Sequence, residues 1–299
     1  MRIGAYELAA NVSLLFPEHS YLDRFAAARA AGFTAVESWW PFPTAAPTTG
    51  ELDAVLRAVD DAGVRLVGLN FFAGDMPAGD RGVLSDPGRR EDFFDSLGVI
   101  ARVNDRTGCS VFNALFGVRR DGVDAETQDD CARRNLVEAR AALPASATVV
   151  LEALTVGENG AYPLTTCDEV VTFADSVPAS TGAGLALLLD TYHLTNNGED
   201  LLACVARHAG RIGHVQLADS PGRGEPGTGA INFAAVVAAL SDAGYPGLLA
   251  AEYRPSAGTT EGLGWVTDVD GRKPRQSVPR DGLSVTAPTR SSSLGGGSK

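Results

Sequence analysis

Along most of the chain one unit recurs: a short run of β-branched and apolar residues, a turn, then a segment whose apolar residues return every three or four positions. Ile3 to Leu8 predicts a first strand, and Tyr21 to Ala31 a helix stopped at Gly32. Phe33 to Glu37 predicts a second strand, and Glu51 to Ala62 a helix stopped at Gly63. Val64 to Asn70 reads as a third strand, so apolar that both faces should be buried. Asp92 to Thr107 follows as a helix, Ser110 to Leu115 as strand four, Ala125 to Leu143 as a helix ended by Pro144, and Thr148 to Glu152 as strand five. Thr166 to Ser176 is helical, Gly184 to Asp190 is strand six, and Asp200 to His208 is helical again. Ile212 to Leu217 is strand seven, Phe233 to Ala243 a helix stopped at Gly244, and Leu248 to Glu252 strand eight.

Eight strands alternating with helices predict a closed parallel sheet, a single (β/α)8 TIM barrel, which needs about 250 of the 299 residues present. Residues 1–266 form this domain. From 267 to 299 the period is lost, and Ser, Gly, Pro and basic residues predict a flexible tail. One connection is long: FFAGDMPAGDRGVLSDPGRRE, after strand three, has the length of a cover over a site rather than of a simple βα link.

Composition narrows the class. Apolar residues at 44% and charged residues at 21% are those of a globular enzyme. A net charge of −12 disfavours phosphate backbones and anionic membranes, so no nucleic acid and no membrane partner is expected. The N-terminus is a poor secretory signal, and no run reaches the roughly 18–20 apolar residues of a membrane span. Cys109, Cys131, Cys167 and Cys204 are widely spaced with no CxxC pair, which indicates reduced thiols in the cytoplasm rather than a zinc knuckle or disulfide framework. Apolar residues scattered on the helices are compatible with a homo-oligomer and equally with ordinary surface composition.

The candidate chemistry sits at strand ends. In strand seven, His214 and Gln216 are two apart and share a face, and the strand runs into the polar loop ADSPGRGEPGTG. Strands five, six and eight end in Glu152, Asp190 and Glu252. Neighbouring strands lie about 4.8 Å apart, so four successive ends can surround one ion. Three carboxylates and an amide suit a hard divalent ion, Mg²⁺ or Mn²⁺, which would also relieve their mutual repulsion. Each residue taken singly is an ordinary strand-end polar group; four at matching positions point to metal. His193, in DTYH, is placed to reach a substrate oxygen, and Arg223 to clamp a substrate carboxylate, each against the alternative of a solvated side chain. His214, one layer deeper, reads as a core or supporting group, and Asp219 as an orienting group or a loop cap.

At these residues the sequence resembles the hydroxypyruvate isomerase family, within the xylose-isomerase-like barrels that include ketose 3-epimerases. The strongest match is GHVQLADSPGRGEPGTGAINF, followed by GYPGLLAAEYRP and GLGW; LNFFAGDMPAGDRG and FNALFG agree earlier in the chain. The resemblance implies a metal-dependent sugar-acid isomerase in which Glu152 and Glu252 both bind the ion and move the proton, with Asp190 and Gln216 as the remaining ligands. It implies conversion of hydroxypyruvate to tartronate semialdehyde through an enediolate, with a 2-oxo-tetronate isomerase, a ketose 3-epimerase or a non-catalytic sugar-acid-binding barrel as alternatives. The chain departs from the family at Thr155, Gly224 and Met76, where Asn, His and Trp are common. Those changes bear on the substrate wall and leave the ligand set intact.

Overall fold

The computed structural model describes residues 1–179 and 181–266; the segment 267–299, read above as a tail, lies outside the described residues. The chain enters through a hairpin: β1 (Arg2–Ile3) pairs antiparallel with β2 (Tyr6–Asn11). The predicted first strand is therefore interrupted by a turn at Gly4, with φ of 55°. The barrel strand proper continues three residues further, to Asn11.

β2 is followed by β3 (Ala35–Ser38), β4 (Arg65–Asn70), β5 (Val111–Asn113), β6 (Thr148–Glu152), β7 (Gly184–Asp190), β8 (Ile212–Leu217) and β9 (Leu249–Ala251). Each pairs in parallel with its successor, and Leu8 to Ala10 of β2 pair in parallel with Leu249 to Ala251 of β9, closing the barrel. The TIM barrel expected from the pattern is the fold.

Helices α1 (Arg24–Ala30), α2 (Thr49–Ala62), α3 (Arg90–Thr107), α4 (Ala125–Ala142) and α5 (Cys167–Ser176) fall within a few residues of their predicted spans. Their ends are chemically marked. Thr48 with Glu51 and Thr166 with Glu169 form reciprocal capping boxes, and Gly63 ends α2 with φ of 64°. The six-residue α6 (Thr191–Asn196) is new; it is too short to show a period and exists because the Asp190 carboxylate caps it. α7 (Leu201–His208), α8 (Phe233–Asp242) and the short α9 (Thr259–Gly262) complete the set. Among the described residues no helix is long and apolar enough to cross a membrane.

Strand alternation divides the core. Leu8, Ala10, Val36, Leu69, Val149, Leu151, Leu187, Leu189, Val215 and Leu217 join the large cluster beneath the helices. Ala9, Ala35 and Ala250 form a separate small cluster with Val67 and Leu248, which is the barrel interior. Small inner residues let the strands converge. Two positions on from each of these alanines, on the same face, stand Asn11, Glu37 and Glu252, and the same step leads to Asn70, Asn113, Glu152, Asp190 and Gln216 on the other strands. The interior therefore changes from apolar to polar toward the C-terminal mouth.

Candidate active site at the barrel mouth

All eight of those inward polar residues are buried, at 7% exposure or less. Burial obliges each to find a partner. Glu152 accepts from Asn113 Nδ2 at 2.7 Å. Glu252 accepts from Asn11 Nδ2 at 3.0 Å and Trp39 Nε1 at 2.5 Å, and its other oxygen meets Arg223 Nη2. Asp190 spends Oδ1 on the backbone N–H groups of Tyr192 (2.7 Å) and His193 (3.1 Å), and its Oδ2 lies 3.5 Å from Arg223. Gln216 donates from Nε2 to Glu37 Oε1 at 2.8 Å.

Glu37 and the three asparagines were not singled out from the sequence. Glu37 accepts from Asn11 at 2.9 Å, from Gln216, and from His214 Nε2 at 2.5 Å. Asn11 thus links Glu37 to Glu252. Burial pushes the Glu37 carboxyl up, but the His214 charge and the three hydrogen bonds outweigh it and hold the group below the usual value. His214 is the supporting group its depth suggested. On β4 a Cβ on Gly68 would lie 3.2 Å from Glu37 Oε2, so a side chain there would press on this carboxylate. The sequence carries a signal for them: predicted strands two and three end in Glu37 and Asn70, the same polar ending that marks strands five to eight.

His193 is buried on α6 with Nε2 3.7 Å from Glu152 and 3.9 Å from Asp190. Its Nδ1 accepts the Thr155 backbone N–H at 3.1 Å and contacts Thr155 Oγ1 at 2.7 Å. A ring nitrogen that accepts an N–H carries no proton, so the network assigns the hydrogen of the neutral ring to Nε2, on the carboxylate side. Burial brings the ring pKa down to about 4 despite the nearby Asp190, so it is neutral at pH 7.

Arg223 adopts a left-handed backbone, φ of 55°, and its guanidinium lies 5.4 Å from the ring centre of Tyr192 and 5.9 Å from that of Trp39. Its loop is set by Asp219, which accepts four backbone N–H groups: Ser220 (2.8 Å), Gly227 (2.7 Å), Gly229 (2.8 Å) and Ile231 (3.0 Å). Asp219 is thus the loop cap, one of the two roles its position allowed.

The electrostatics show surplus negative charge. Burial, then the charges of Glu252 and Asp190, push the Glu152 carboxyl well above its usual value. Burial raises Glu252 to about 8 against the pull of Arg223, with Asp190 and Glu37 adding to the rise. Arg223 is held above its ordinary value by Glu252, Asp190 and Glu152, although burial opposes its charge. Burial is the largest cause of the rise at Glu252, and the guanidinium, shared among Glu252, Asp190 and Glu152, offsets only part of it, so one cation does not balance the negative charge of the ring.

A hard divalent cation fits this donor set. Asp190 Oδ2, Gln216 Oε1 and Asn113 Oδ1 are buried without a hydrogen-bond partner among the described residues, a costly state that cation coordination would relieve at Asp190 and Gln216. Ligand atoms of Glu152, Asp190 and His193 lie within 4.8 Å of one another; Glu252 joins them through Arg223. The ring opens into a cavity of about 690 Å³ lined by Trp39, Asn70, Met76, Arg81, Glu152, Glu158, His193, Arg223, Glu252 and Arg254, among others.

Comparison with known proteins gives the family. The chain matches the family described as xylose isomerase-like TIM barrel over residues 25–269. It is 47% identical over 251 residues to a candidate hydroxypyruvate isomerase of Streptomyces coelicolor, covering 82% of this chain and 89% of the relative. It is 35% identical over 266 residues to the 2-oxo-tetronate isomerase of Cupriavidus necator, covering 88% and 98%. A crystal structure titled AP endonuclease, family 2, from Brucella melitensis superposes with a TM-score of 0.79 at 29% identity, over 88% of this chain and 98% of that one. The chain belongs to the xylose isomerase-like TIM barrel family and, within it, to the hydroxypyruvate isomerase family.

Proposed function

We propose that this protein is a metal-dependent isomerase of a small sugar acid, interconverting hydroxypyruvate and tartronate semialdehyde. The observation that carries the reading is the pair of buried glutamates, Glu152 and Glu252, in one oxygen-rich ring with Asp190 and Gln216 at the barrel mouth. The names of the Streptomyces and Cupriavidus relatives support the substrate class.

Mg²⁺ or Mn²⁺ held by Glu152, Asp190, Gln216 and Glu252 would supply Lewis-acid polarisation of the substrate oxygens. The chain's own groups do the rest. One of the two glutamates takes a proton from C3 of hydroxypyruvate, leaving an enediolate, and a proton is returned to C2 by that glutamate or its partner. The hydroxyl proton on O3 passes to O2, so the product is an isomer with no atom gained or lost. His193 presents Nε2–H as a donor to a substrate oxygen, with Thr155 holding the ring in that tautomer. Arg223 keeps Glu252 and Asp190 in place and tempers their repulsion.

The test is NMR in D₂O with hydroxypyruvate, on protein stripped of metal and then reloaded with Mg²⁺ or Mn²⁺. The expected result is metal-dependent product carrying solvent deuterium, reduced by at least about 10²-fold in E152Q and in E252Q. Near-normal turnover in both variants would sink the mechanism. A four-carbon 2-oxo-tetronate is the second reading, favoured by the roughly 690 Å³ cavity and the Cupriavidus relative. The same assay with that acid decides between them. A neutral ketose active in place of both acids would select the 3-epimerase alternative, and ligand affinity without any proton exchange would select a binding barrel.

A further inference from the structure

We propose that Arg81, on the loop between β4 and α3, is the anchor for the substrate's carboxylate, a role that rests on the sugar-acid reading above. Three arginines line the cavity. Arg223 is already committed to Glu252 and Asp190. Arg254 is exposed at the rim, with no side-chain partner among the described residues. Arg81 is different: it is half-buried and tethered entirely by neutral acceptors. Its Nε donates to Asn159 Oδ1 at 2.8 Å, and Nη1 donates to the backbone carbonyls of Met76 (2.9 Å) and Asp80 (2.7 Å). Among the described residues no carboxylate comes within ion-pair distance of it. The adjacent Asp80 side chain is taken by Arg89 and Arg120, at 2.7 Å each, and Glu158 accepts from the Tyr192 hydroxyl.

A guanidinium fixed in this way without a counter-ion is prepared for an anion. Three of its five N–H groups are used, which leaves the two on Nη2. These allow a charge-assisted contact from Nη2 to an anionic oxygen such as a carboxylate's. The loop is seated firmly: Gly82 has φ of 110°, and a Cβ there would lie 2.0 Å from the Leu115 carbonyl oxygen. Asn159, which holds Arg81, also donates to the Thr155 carbonyl at 3.0 Å, so the cation is tied to the segment that orients His193. The charge of Arg81 is felt at the His193 ring. A ketol end placed over Glu152 and Glu252 leaves the acid end repelled by that ring and directed to the cation of this loop.

Two measurements test this on the metal-loaded wild type, R81Q and R81K. Calorimetry uses D-glycerate, a carboxylate with no ketol to isomerise. Kinetics compare hydroxypyruvate with dihydroxyacetone, which has hydroxymethyl in place of the carboxylate. In R81Q, glycerate affinity should fall about ten- to hundredfold and KM for hydroxypyruvate should rise in step. Dihydroxyacetone handling should change little, and R81K should recover part of the loss. Unchanged glycerate affinity in R81Q would overturn the proposal. So would an equal loss with dihydroxyacetone, which would show that Arg81 only seats the loop. Glycerate binding that depends on Arg81 in a wild type that turns over neither substrate would uphold the anchor and refute the isomerase reading.

Discussion

Replacing Glu37 by alanine tests whether the second-strand carboxylate, which never approaches substrate in this reading, sets the geometry of the ligands that do. The change removes the acceptor of Gln216 Nε2 and of His214 Nε2, both buried; Asn11 keeps its bond to Glu252. Each stranded buried donor costs about 1–3 kcal/mol, so two give roughly 2–6 kcal/mol before any cavity left by the side chain is counted. With a urea m-value near 3 kcal/mol/M, the midpoint of unfolding should fall by about 0.7–2 M. Function should suffer separately. Gln216 loses the contact that holds its amide with Nε2 toward Glu37, and Mn²⁺ affinity should fall about 10–100-fold, the range seen when groups that orient metal ligands are removed. Urea unfolding followed by circular dichroism and Mn²⁺ titration by calorimetry read the two effects independently. E37Q should keep more of both, because its amide oxygen can still accept from Asn11 and Gln216. An E37A protein with wild-type midpoint and wild-type Mn²⁺ affinity would refute the reasoning.

D219A removes one carboxylate that collects four backbone N–H groups; Gly227 and Gly229 are exposed and recover water, so about 3–5 kcal/mol of stability should be lost in urea unfolding, with activity falling as the Arg223 loop loosens. G82A must displace either its own loop or the Leu115 backbone, and hydrogen exchange should show residues 73–82 losing protection even if the barrel stays folded. For Asp80, burial raises the carboxyl, but the hydrogen bonds from Arg120 and the Asp75 N–H, with the charges of Arg120 and Arg89, bring it below its ordinary 3.8. A lowered folded pKa means that its stabilisation is complete above the unfolded value and is lost as pH falls through the folded one. The stability gap between wild type and D80N should therefore be constant from pH 7 to about 5 and narrow progressively as pH falls below about 4; a gap that stayed unchanged from pH 5 to about 2 would contradict the assignment.

Much of the barrel was legible because it is written in local periods. β6, β7 and β8 have the bounds read from the pattern, and Gly63 ends its helix with positive φ where a helix-stopping residue is expected. The exceptions have physical causes. Gly4 breaks the first apolar run into a hairpin, and α6 is held by a cap rather than by a buried stripe.

Of the candidate site, the sequence by itself determined which strands end in Glu152, Asp190, Gln216 and Glu252, since the two-residue alternation of a strand dictates which side chains share a face. It could not determine the partners, because hydrogen bonds such as Asn11 to Glu252 and His214 to Glu37 join residues 241 and 177 positions apart, and only barrel closure brings them together. The tertiary structure alone decided that His193 points Nε2 at the carboxylates, that Arg223 is engaged by Glu252, and that Arg81 stands in the cavity without a counter-ion among the described residues. Those outcomes depend on where three separate loops meet, and the energy of a buried charge depends on everything around it rather than on its neighbours in the chain.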